Sequence, residues 1–383
     1  MQLTLSKSQL LSVVQKVISA VGTKSNLPIM HCLKLEVTES GDFTVSATDM
    51  EVSLQAQVAL AKFAPGSIGL RANTFAEIVR ELPDCDVSLE SIENQRVRIS
   101  AGRALFHLVG VPASDFPKIP GLDQNSQILF ARMNGPEVAS MLDKTVYAVA
   151  TETPQQYLLG LAIEIIHRPT GRFFRMVGSD GFRLAVADSS QLALDDAAWS
   201  LFDSGLIVPR KGMMELRKIL TESHDDFFMT LLRNHLLIRQ GSVRLSVRAI
   251  EGPYFNYGQF IPEPVAHPAR VHRQELLAAL RRVSLISVAP TEKLRWVRII
   301  FDQNSLRLLG KSSELGDAED VLDMEYSGPA CEAYFNSRYL IDALHSIPSA
   351  QVLCEIHGNH NAILIREDSS SHQHVTVIMP IEV

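Results

Sequence analysis

Four histidines near the C-terminal end form the densest group of side chains that could hold a metal ion: His357, His360, His372 and His374. On a strand, the H-x-H spacing of the last two places both rings on one face, as a pair of metal ligands requires. No cysteine or carboxylate at ligand spacing completes a set of four. The sequence therefore predicts no metal site and no cofactor.

Motifs for catalysis are missing from the sequence. It contains neither the G-x-x-x-x-G-K-[ST] signature of a P-loop nor the G-x-S-x-G elbow of a serine hydrolase. Asp180 with Asp317 or Glu314 could form an acid pair, but no sequence feature places these residues together. No group of residues meets the geometric requirements of an active site.

Composition limits the class of protein. The 383 residues allow two to four domains. With 46% hydrophobic and 21% charged residues, the chain is neither disordered nor collagen-like. A net charge of −7 argues against tight nucleic-acid binding by charge alone.

The four cysteines show no C-x-x-C spacing, which favours a reduced compartment. Neither a secretory signal nor a long apolar run is present, so we expect a soluble, cytoplasmic protein.

A helical pattern occurs three times, at residues 9–21, 137–149 and 275–287, and its apolar positions Leu10, Val138 and Leu276 are 128 and 138 residues apart. A second helix is predicted in each third, at residues 74–82, 212–220 and 339–347. Alternating runs between the helices predict strands. The pattern predicts an α+β fold of three repeated domains, each with two helices packed on antiparallel sheets, spanning residues 1–125, 126–256 and 257–383.

Charge is distributed unevenly between helices and the rest of the chain. The six predicted helical segments with their N-terminal edges carry a net charge of +6, and the remainder carries −13. Omitting Lys7, Arg71, Arg210 and Arg273 at those edges leaves +2 against −9. This asymmetry is typical of a surface that faces a polyanion. Lysine and arginine are also good helix formers, which is the alternative explanation.

Four segments together resemble a known family. They are Leu27-Pro28-Ile29, SDGFRLAV at 179–186, VPRKGMMEL at 208–216 and VIMPIEV at 377–383. In this order, over the whole chain and with three repeats of suitable size, they resemble the bacterial sliding clamp, the beta subunit of DNA polymerase III. The first part of SDGFRLAV is close to the TDGHRLA of that family.

The resemblance implies a head-to-tail homodimer whose six domains form a closed ring. Twelve helices would line the central hole, and double-stranded DNA would pass through it without sequence preference. The ring would act as a processivity factor that tethers the DNA polymerase III catalytic subunit, the clamp loader and other proteins with a clamp-binding motif. The resemblance implies no catalysis, so ATPase activity is not expected, and no contact with a membrane.

The resemblance also implies a peptide-binding pocket between the second and third domains. Matched by motif, its residues are Tyr157, Leu158, Ser179, Gly181, Phe182, Arg183, Leu184, Asn336, Tyr339, Val377, Ile378, Met379 and Pro380. Apolar side chains would bury the Leu or Phe anchors of the peptide. From the residues alone, a turn that enters a buried strand is the favoured explanation of SDGFRLAV, because it is the commoner meaning of such a segment.

The sequence departs from the family pattern at this pocket. Phe182 stands where histidine is usual, Phe255-Asn256-Tyr257-Gly258-Gln259 stands where Pro-Asp-Tyr-Arg-Arg is common, and Glu382 replaces a basic residue. We therefore expect a changed peptide preference. The departures also leave open whether the chain is the housekeeping clamp or a divergent paralogue.

The family resemblance implies two further sets of residues. Lys24 matches a basic residue that contacts DNA, and the helix positions add weaker DNA-facing candidates: Arg80, Arg210, Lys211, Arg217, Lys218, Arg281 and Arg282. Phe106 and Leu108 match apolar dimer-interface positions, and Leu285 and Ile286 would face them from the other chain. Ordinary core burial is the alternative for these four.

Two other functions stay open at this stage. One is a three-domain enzyme with its site at a domain boundary, around Asp180 and Arg183. The other is a scaffold that binds peptides, forms no ring and never meets DNA. The mass in solution and the retention of the protein on circular DNA distinguish these from a clamp.

Overall fold

The structure is a computed structural model that describes residues 1–22, 26–121, 130–192, 199, 202–223, 225–287, 296–368 and 374–382. The chain divides into two compact units. The first comprises Met1–Pro136, Ala193–Leu201 and Lys211–Ala249, and the second comprises Glu137–Leu192, Phe202–Arg210 and Ile250–Val383.

Six α-helices of the described residues correspond to the six that the sequence predicts. They are α1 (Lys7–Val17), α2 (Ala72–Glu81), α3 (Gly135–Thr145), α4 (Arg210–Glu222), α5 (Arg273–Ser284) and α6 (Ser337–Ser346). Local chemistry fixes where two of them begin. Ser6 forms a capping box with Gln9 at the start of α1, and the Asn336 side chain accepts a hydrogen bond from the Arg338 N–H at the start of α6.

The β-strands alternate with these helices along the chain. In chain order they are β1 (Gln2–Ser6), β2 (Cys32–Val37), β3 (Asp42–Thr48), β4 (Val52–Ala59), β5 (Phe63–Ala64), β6 (Gly66–Arg71), β7 (Asp86–Ile92), β8 (Arg96–Ala101), β9 (Ala104–Val109), β10 (Ala131–Met133), β11 (Gly160–Arg168), β12 (Gly171–Ser179), β13 (Arg183–Ser189), β14 (Leu206–Pro209), β15 (Phe227–Leu232), β16 (His235–Gln240), β17 (Val243–Arg248), β18 (Ala269–His272), β19 (Trp296–Asp302), β20 (Ser305–Ser312), β21 (Gly316–Asp323), β22 (Cys331–Asn336), β23 (Gln351–Ile356), β24 (Ile363–Glu367) and β25 (His374–Ile378).

The first unit contains two antiparallel sheets. One has the strand order β5-β1-β7-β8-β9, and the other has the order β10-β15-β16-β17-β4-β3-β2-β6. In the larger sheet β17 pairs with β4, where Leu245 lies opposite Leu54. Helix α1 packs on β3 and β4 through the buried apolar stripe of Leu10, Val14 and Val17.

The second unit repeats this plan. Its sheets have the orders β14-β11-β12-β13-β25-β24-β23-β18 and β21-β20-β19-β22. Helices α5 and α6 pack together, and Leu280 and Leu344 from them lie in one core with Val297 and Phe335 from the four-stranded sheet. Pairing of β13 with β25 places Leu184 opposite Val377.

The α+β class and the helix-and-strand order in each third are as predicted. The sequence did not predict that neighbouring thirds share a sheet, as β4 and β17 do in one unit and β13 and β25 in the other. Pairing across such separations leaves no local pattern, because a strand next to a distant partner has the same period-2 alternation as a strand next to a near one.

Candidate functional site

A rigid turn joins β12 to β13 in the second unit. The Asp180 carboxylate accepts hydrogen bonds from the Phe182 and Arg183 N–H groups at 3.0 and 3.1 Å. The Ser179 hydroxyl donates to the Arg183 carbonyl at 2.7 Å and accepts from the Gly181 N–H at 3.1 Å. Gly181 has φ +88°, a conformation that glycine adopts without steric cost. The turn therefore holds the Phe182 side chain outward, where 64% of the residue is exposed.

Arg183 is the most heavily bonded residue of this turn, with only 9% of its side chain exposed. Its guanidinium forms ion pairs with Asp180 at 3.0 Å and Asp342 at 2.7 Å, and it donates to the Tyr147 carbonyl at 2.8 Å. It also lies 4.3 Å from the centre of the Tyr339 ring. These contacts fix the turn against α6 and satisfy the buried charge.

An apolar groove of about 200 Å³ opens beside the turn. It lies in the second unit, and its lining residues are Gln155, Tyr157, Leu158, Ser179, Gly181, Arg183, Leu184, Phe255, Phe260, Val377 and Met379. Its size and mainly apolar lining suit a single large hydrophobic side chain.

Aromatic side chains form one wall of the groove. The Phe255 ring lies 5.9 Å from Tyr157, 4.9 Å from Tyr254 and 6.0 Å from Phe260, measured between ring centres. Tyr157 and Tyr254 meet edge to face at 6.1 Å. Such contacts stabilise a wall in one arrangement, because edge-to-face and tilted ring pairs have defined geometry.

A half-buried polar cluster holds Tyr257, whose ring contacts Tyr254 and Phe255 of this aromatic wall. The Tyr257 hydroxyl donates to Glu164 and accepts from the Arg175 guanidinium at 3.1 Å. Arg175 binds the buried Asp188 carboxylate through two hydrogen bonds, at 2.6 and 2.8 Å. Burial raises the pKa of Tyr257 to about 12, with the hydrogen bond to Glu164 as the next cause. The hydroxyl therefore keeps its proton at neutral pH and remains a donor.

A polar chamber of about 640 Å³ lies in the same unit and shares Arg183 with the groove. Its lining contains the three arginines Arg183, Arg210 and Arg338, and the three carboxylates Glu152, Asp180 and Asp342. Phe182, Tyr147, Val149, Ala150, Thr151, Asn336 and Tyr339 complete it.

The structure brings most of the predicted pocket residues together. Eight of them line the groove: Tyr157, Leu158, Ser179, Gly181, Arg183, Leu184, Val377 and Met379. Phe182, Asn336 and Tyr339 line the chamber instead, which Arg183 also borders. Both interpretations of SDGFRLAV thus describe one segment, since it is a turn entering a buried strand and also the edge of a groove.

Two predicted pocket residues lie elsewhere. Ile378 is fully buried in the core under α5 and α6, and Pro380 lines neither hollow. The geometry of β25 explains the position of Ile378, because successive side chains of a strand point to opposite faces of the sheet. Val377 therefore faces the groove and Ile378 faces the core.

Gln155, Phe255 and Phe260 also line the groove, although the family resemblance implies none of them as a pocket residue and Phe255 stands out in the sequence only as a departure from the family pattern. The repeated aromatic residues of the segment Tyr254–Phe260 are the signal that could have identified this wall.

Most of the predicted DNA-facing residues lie on helices. Lys24 lies outside the described residues. Arg80 on α2, Lys218 on α4, and Arg281 and Arg282 on α5 are exposed, and Arg217 is half-buried.

Internal contacts engage several of these cations. Lys211 pairs with Asp49, and Arg282 pairs with Asp320 at 2.7 Å. Arg281 lies 2.7 Å from a ring nitrogen of His345. Arg210 lines the polar chamber rather than standing free on a helix face.

Two of the four predicted dimer residues are exposed. Phe106 lies on β9, an edge strand, and is 37% exposed, while Leu285 is 72% exposed just after α5. Leu108 and Ile286 are half-buried. Core burial is therefore the wrong explanation for Phe106 and Leu285 within this chain. Leu105 and Val109 are also exposed on β9, and such an apolar edge is available for pairing with another strand.

The C-terminal histidines differ in how the structure describes them. His372 lies outside the described residues, while His374 is buried on β25 with its Nε2 3.2 Å from the Lys144 carbonyl. Burial, followed by the nearby Lys144 charge, lowers the pKa of His374 to about 3. Among the described residues, no group of three histidine, cysteine, aspartate or glutamate side chains could hold a metal ion. Likewise, within the described ranges no helix is both long and apolar enough to cross a membrane.

Comparison with known proteins covers the whole chain. Three domain models of one family match it in order: the DNA polymerase III beta subunit N-terminal domain over residues 1–120, the central domain over 132–256 and the C-terminal domain over 258–382. The chain is 30% identical over 382 residues to the beta sliding clamp of Vibrio cholerae, with 100% of both chains covered.

Solved structures give the same result. The sliding clamp (DNA polymerase III subunit beta) from Bartonella birtlesii bound to griselimycin matches with a TM-score of 0.91 at 28% identity, with 100% of both chains covered. The C. crescentus beta sliding clamp with PEG bound matches with a TM-score of 0.91 at 30% identity, over 100% of this chain and 99% of that one.

Proposed function

Because this chain belongs to the DNA polymerase III beta subunit family, we propose that it is a DNA sliding clamp, a non-catalytic processivity factor that surrounds duplex DNA in the cytoplasm. The match to three consecutive family domains over almost the whole chain carries this proposal. A tethered polymerase stays close to its template after each dissociation, so the clamp increases effective concentration and needs no chemistry of its own.

Docking of partner proteins is assigned to the groove beside the Ser179–Arg183 turn. Its apolar lining suits the Leu or Phe anchor of a short peptide, and the exposed Met379 extends the apolar surface at its rim, while Phe182 is exposed on the adjoining turn. Peptides from the DNA polymerase III catalytic subunit, the clamp loader and other clamp-binding proteins are the proposed ligands. The aromatic wall, including Phe255, makes the preferred anchor of this chain different from that of relatives with smaller residues there.

The proposed assembly is a head-to-tail dimer of chains with domains at 1–125, 126–256 and 257–383. The three family matches support these boundaries. Exposed apolar residues on the β9 edge, Phe106 among them, supply one side of the contact, and Leu285 with Ile286 supplies the other. Because the two sides differ, each chain contributes one of each, and such a heterologous contact closes into a ring when the rotation allows.

DNA contact is assigned to the helices, with Lys24, Arg80, Arg210, Lys211, Arg217, Lys218, Arg281 and Arg282 as the candidate residues. A ring that is held by its topology needs only weak, sequence-independent attraction, since tight phosphate contacts would oppose sliding. The pairing of Lys211 with Asp49 and of Arg282 with Asp320 lowers the net attraction further.

Mass in solution tests the assembly. We expect a dimer of twice the 42.4 kDa chain mass at micromolar concentration, and a monomer for Phe106→Asp, because a carboxylate buried at the contact lacks a partner. The exposed Phe228→Asp in the first unit is the matched control and should stay dimeric. A monomeric wild type would exclude the ring and favour a scaffold that only binds peptides.

A further inference from the structure

The polar chamber beside the groove is not explained by an apolar anchor. The two hollows share Arg183, and the turn that carries Phe182 borders both, so a peptide lying over this turn can reach from one into the other. The chamber is the larger hollow, at about 640 Å³ against about 200 Å³ for the groove. A ligand that fills only the groove leaves this chamber without a role.

The three arginines of the chamber are not equivalent. The donors of Arg183 are directed to Asp180, Asp342 and the Tyr147 carbonyl, so little remains for a ligand. Arg210 differs, because its Nε is buried and has no hydrogen-bond partner. A buried donor without a partner lowers stability, and a ligand that accepts from it recovers that loss.

Arg338 adds a second available cation. It is exposed in the first turn of α6 and lines the chamber together with Arg210. In the part of the chain that the structure describes, no carboxylate forms an ion pair with either arginine. Two guanidinium groups on one hollow suit a carboxylate, because each presents a planar set of donors that matches carboxylate geometry.

The charge balance of the chamber favours a single carboxylate over a polyanion. Three arginines face three carboxylates, so the lining has no net formal charge and does not attract a phosphate backbone as a whole. One carboxylate of a peptide can instead be held locally by Arg210 and Arg338, while Asp180 and Asp342 remain occupied by Arg183.

Accepting the docking groove of the proposed function, we infer that Arg210 and Arg338 in the polar chamber bind an acidic side chain of the same peptide whose apolar anchor fills the groove. This inference replaces the DNA-facing assignment of Arg210 above and makes it a specificity residue for partner peptides. Partners of this clamp would carry a glutamate or aspartate within a few residues of the apolar anchor.

Binding of labelled peptides to the full chain tests this inference. Each peptide carries Leu-Phe and a single glutamate at one of four preceding positions, and each has a twin with glutamine at that position. For one position we expect the glutamate peptide to bind about tenfold more tightly than its twin, as a charge-assisted hydrogen bond allows. Salt should reduce this preference.

Variants of the two arginines test whether these residues cause the preference for the glutamate peptide. Arg210→Gln and Arg338→Gln should each lower the ratio of the two affinities, and the double variant should bring it below about twofold. Arg132→Gln is the control, because this arginine is exposed in the first unit and lines neither hollow. Unchanged thermal unfolding shows that the variants fold.

Other results overturn the inference in distinguishable ways. Equal binding of all twin peptides by the wild type leaves the docking groove intact but removes the acidic contact. If no Leu-Phe peptide binds at all, the docking proposal fails together with the inference. If the double variant keeps the full glutamate preference but is lost from circular DNA, the two arginines serve DNA instead.

Discussion

The Ser179–Arg183 turn and the basic helices differ in how exposed their charged side chains are and in whether these side chains have fixed partners. Arg183 at the turn is almost fully buried and has internal partners for its whole guanidinium. Arg80 and Lys218 on the helices are exposed, and a long surface side chain of this kind has no single geometry to keep. A surface that recognises shape needs fixed groups, whereas a surface that slides on DNA needs diffuse charge.

The largest effect should come from Arg183→Ala. The change leaves Asp180 and Asp342 without their buried partner, and breaking such a pair costs about 3–5 kcal/mol. We expect the urea midpoint to fall and Leu-Phe peptide affinity to drop by about tenfold or more. The exposed Arg307→Ala is the control. Unchanged peptide affinity would show that the turn does not depend on its ion pairs.

Phe182→His should give the next largest effect. Phe182 is exposed on the turn that borders the groove, and histidine removes part of its apolar surface. The affinity for a Leu-Phe peptide should fall by about threefold or more, because each Å² of apolar contact that is lost costs about 25 cal/mol. Calorimetry of both proteins with one peptide measures it. Equal affinities would contradict the altered preference that the sequence predicts for this pocket.

Acid should lower the free energy of unfolding through His374, a buried residue of the second unit. His374 lies close to Thr376, whose hydroxyl bonds the Tyr147 hydroxyl at 2.7 Å. Burial lowers the pKa of His374 to about 3 in the folded chain, whereas an unfolded histidine titrates near 6.5. Between about pH 6.5 and about pH 3 only the unfolded state takes up this proton, so the free energy of unfolding falls by up to about 1.4 kcal/mol for each pH unit of acidification.

His374→Gln should remove this loss, and urea unfolding at pH 7.5 and 5.0 measures it. The wild type should lose more stability than the variant between these two values. The exposed His167→Gln should keep the wild-type slope. Identical slopes for the wild type and His374→Gln would show that the pKa of His374 is the same in the folded and the unfolded chain.

The smallest effect should come from a single helix cation. Arg80→Ala should change retention on circular DNA by less than about twofold, because many weak contacts share the attraction. The combination of Arg80, Arg217, Lys218 and Arg281, all changed to alanine, should weaken the salt dependence of retention clearly. A large loss from Arg80→Ala alone would contradict the diffuse character of this surface.

The sequence predicts the local elements of this fold and misses the long-range pairing. Apolar spacing at Leu10, Val138 and Leu276 locates three helices, because the 3.6-residue period is a local property. The pairing of β4 with β17 brings together residues from different thirds, and nothing in either segment encodes the partner.

For the candidate site, too, the sequence predicts the local part and misses the contacts between distant segments. The motif at Ser179–Leu184 places the turn, since Asp and Gly have local conformational preferences. Arg210 could not be assigned to the chamber from its position at the start of a helix, because the residues that complete the chamber, such as Asp342, are distant in sequence. Ile378 lies in the core and not in the groove, because a motif match does not specify which face of the sheet each side chain of β25 takes.

Retention on DNA tests the central claim of a closed ring most directly. The protein is loaded by a clamp loader onto nicked circular DNA and separated from free protein, and the circle is then cut once with a restriction enzyme. We expect stable retention on the circle and rapid loss from the linear product, since a ring slides off free ends. Equal retention before and after the cut would contradict encirclement, because it would show that the protein adheres to DNA directly.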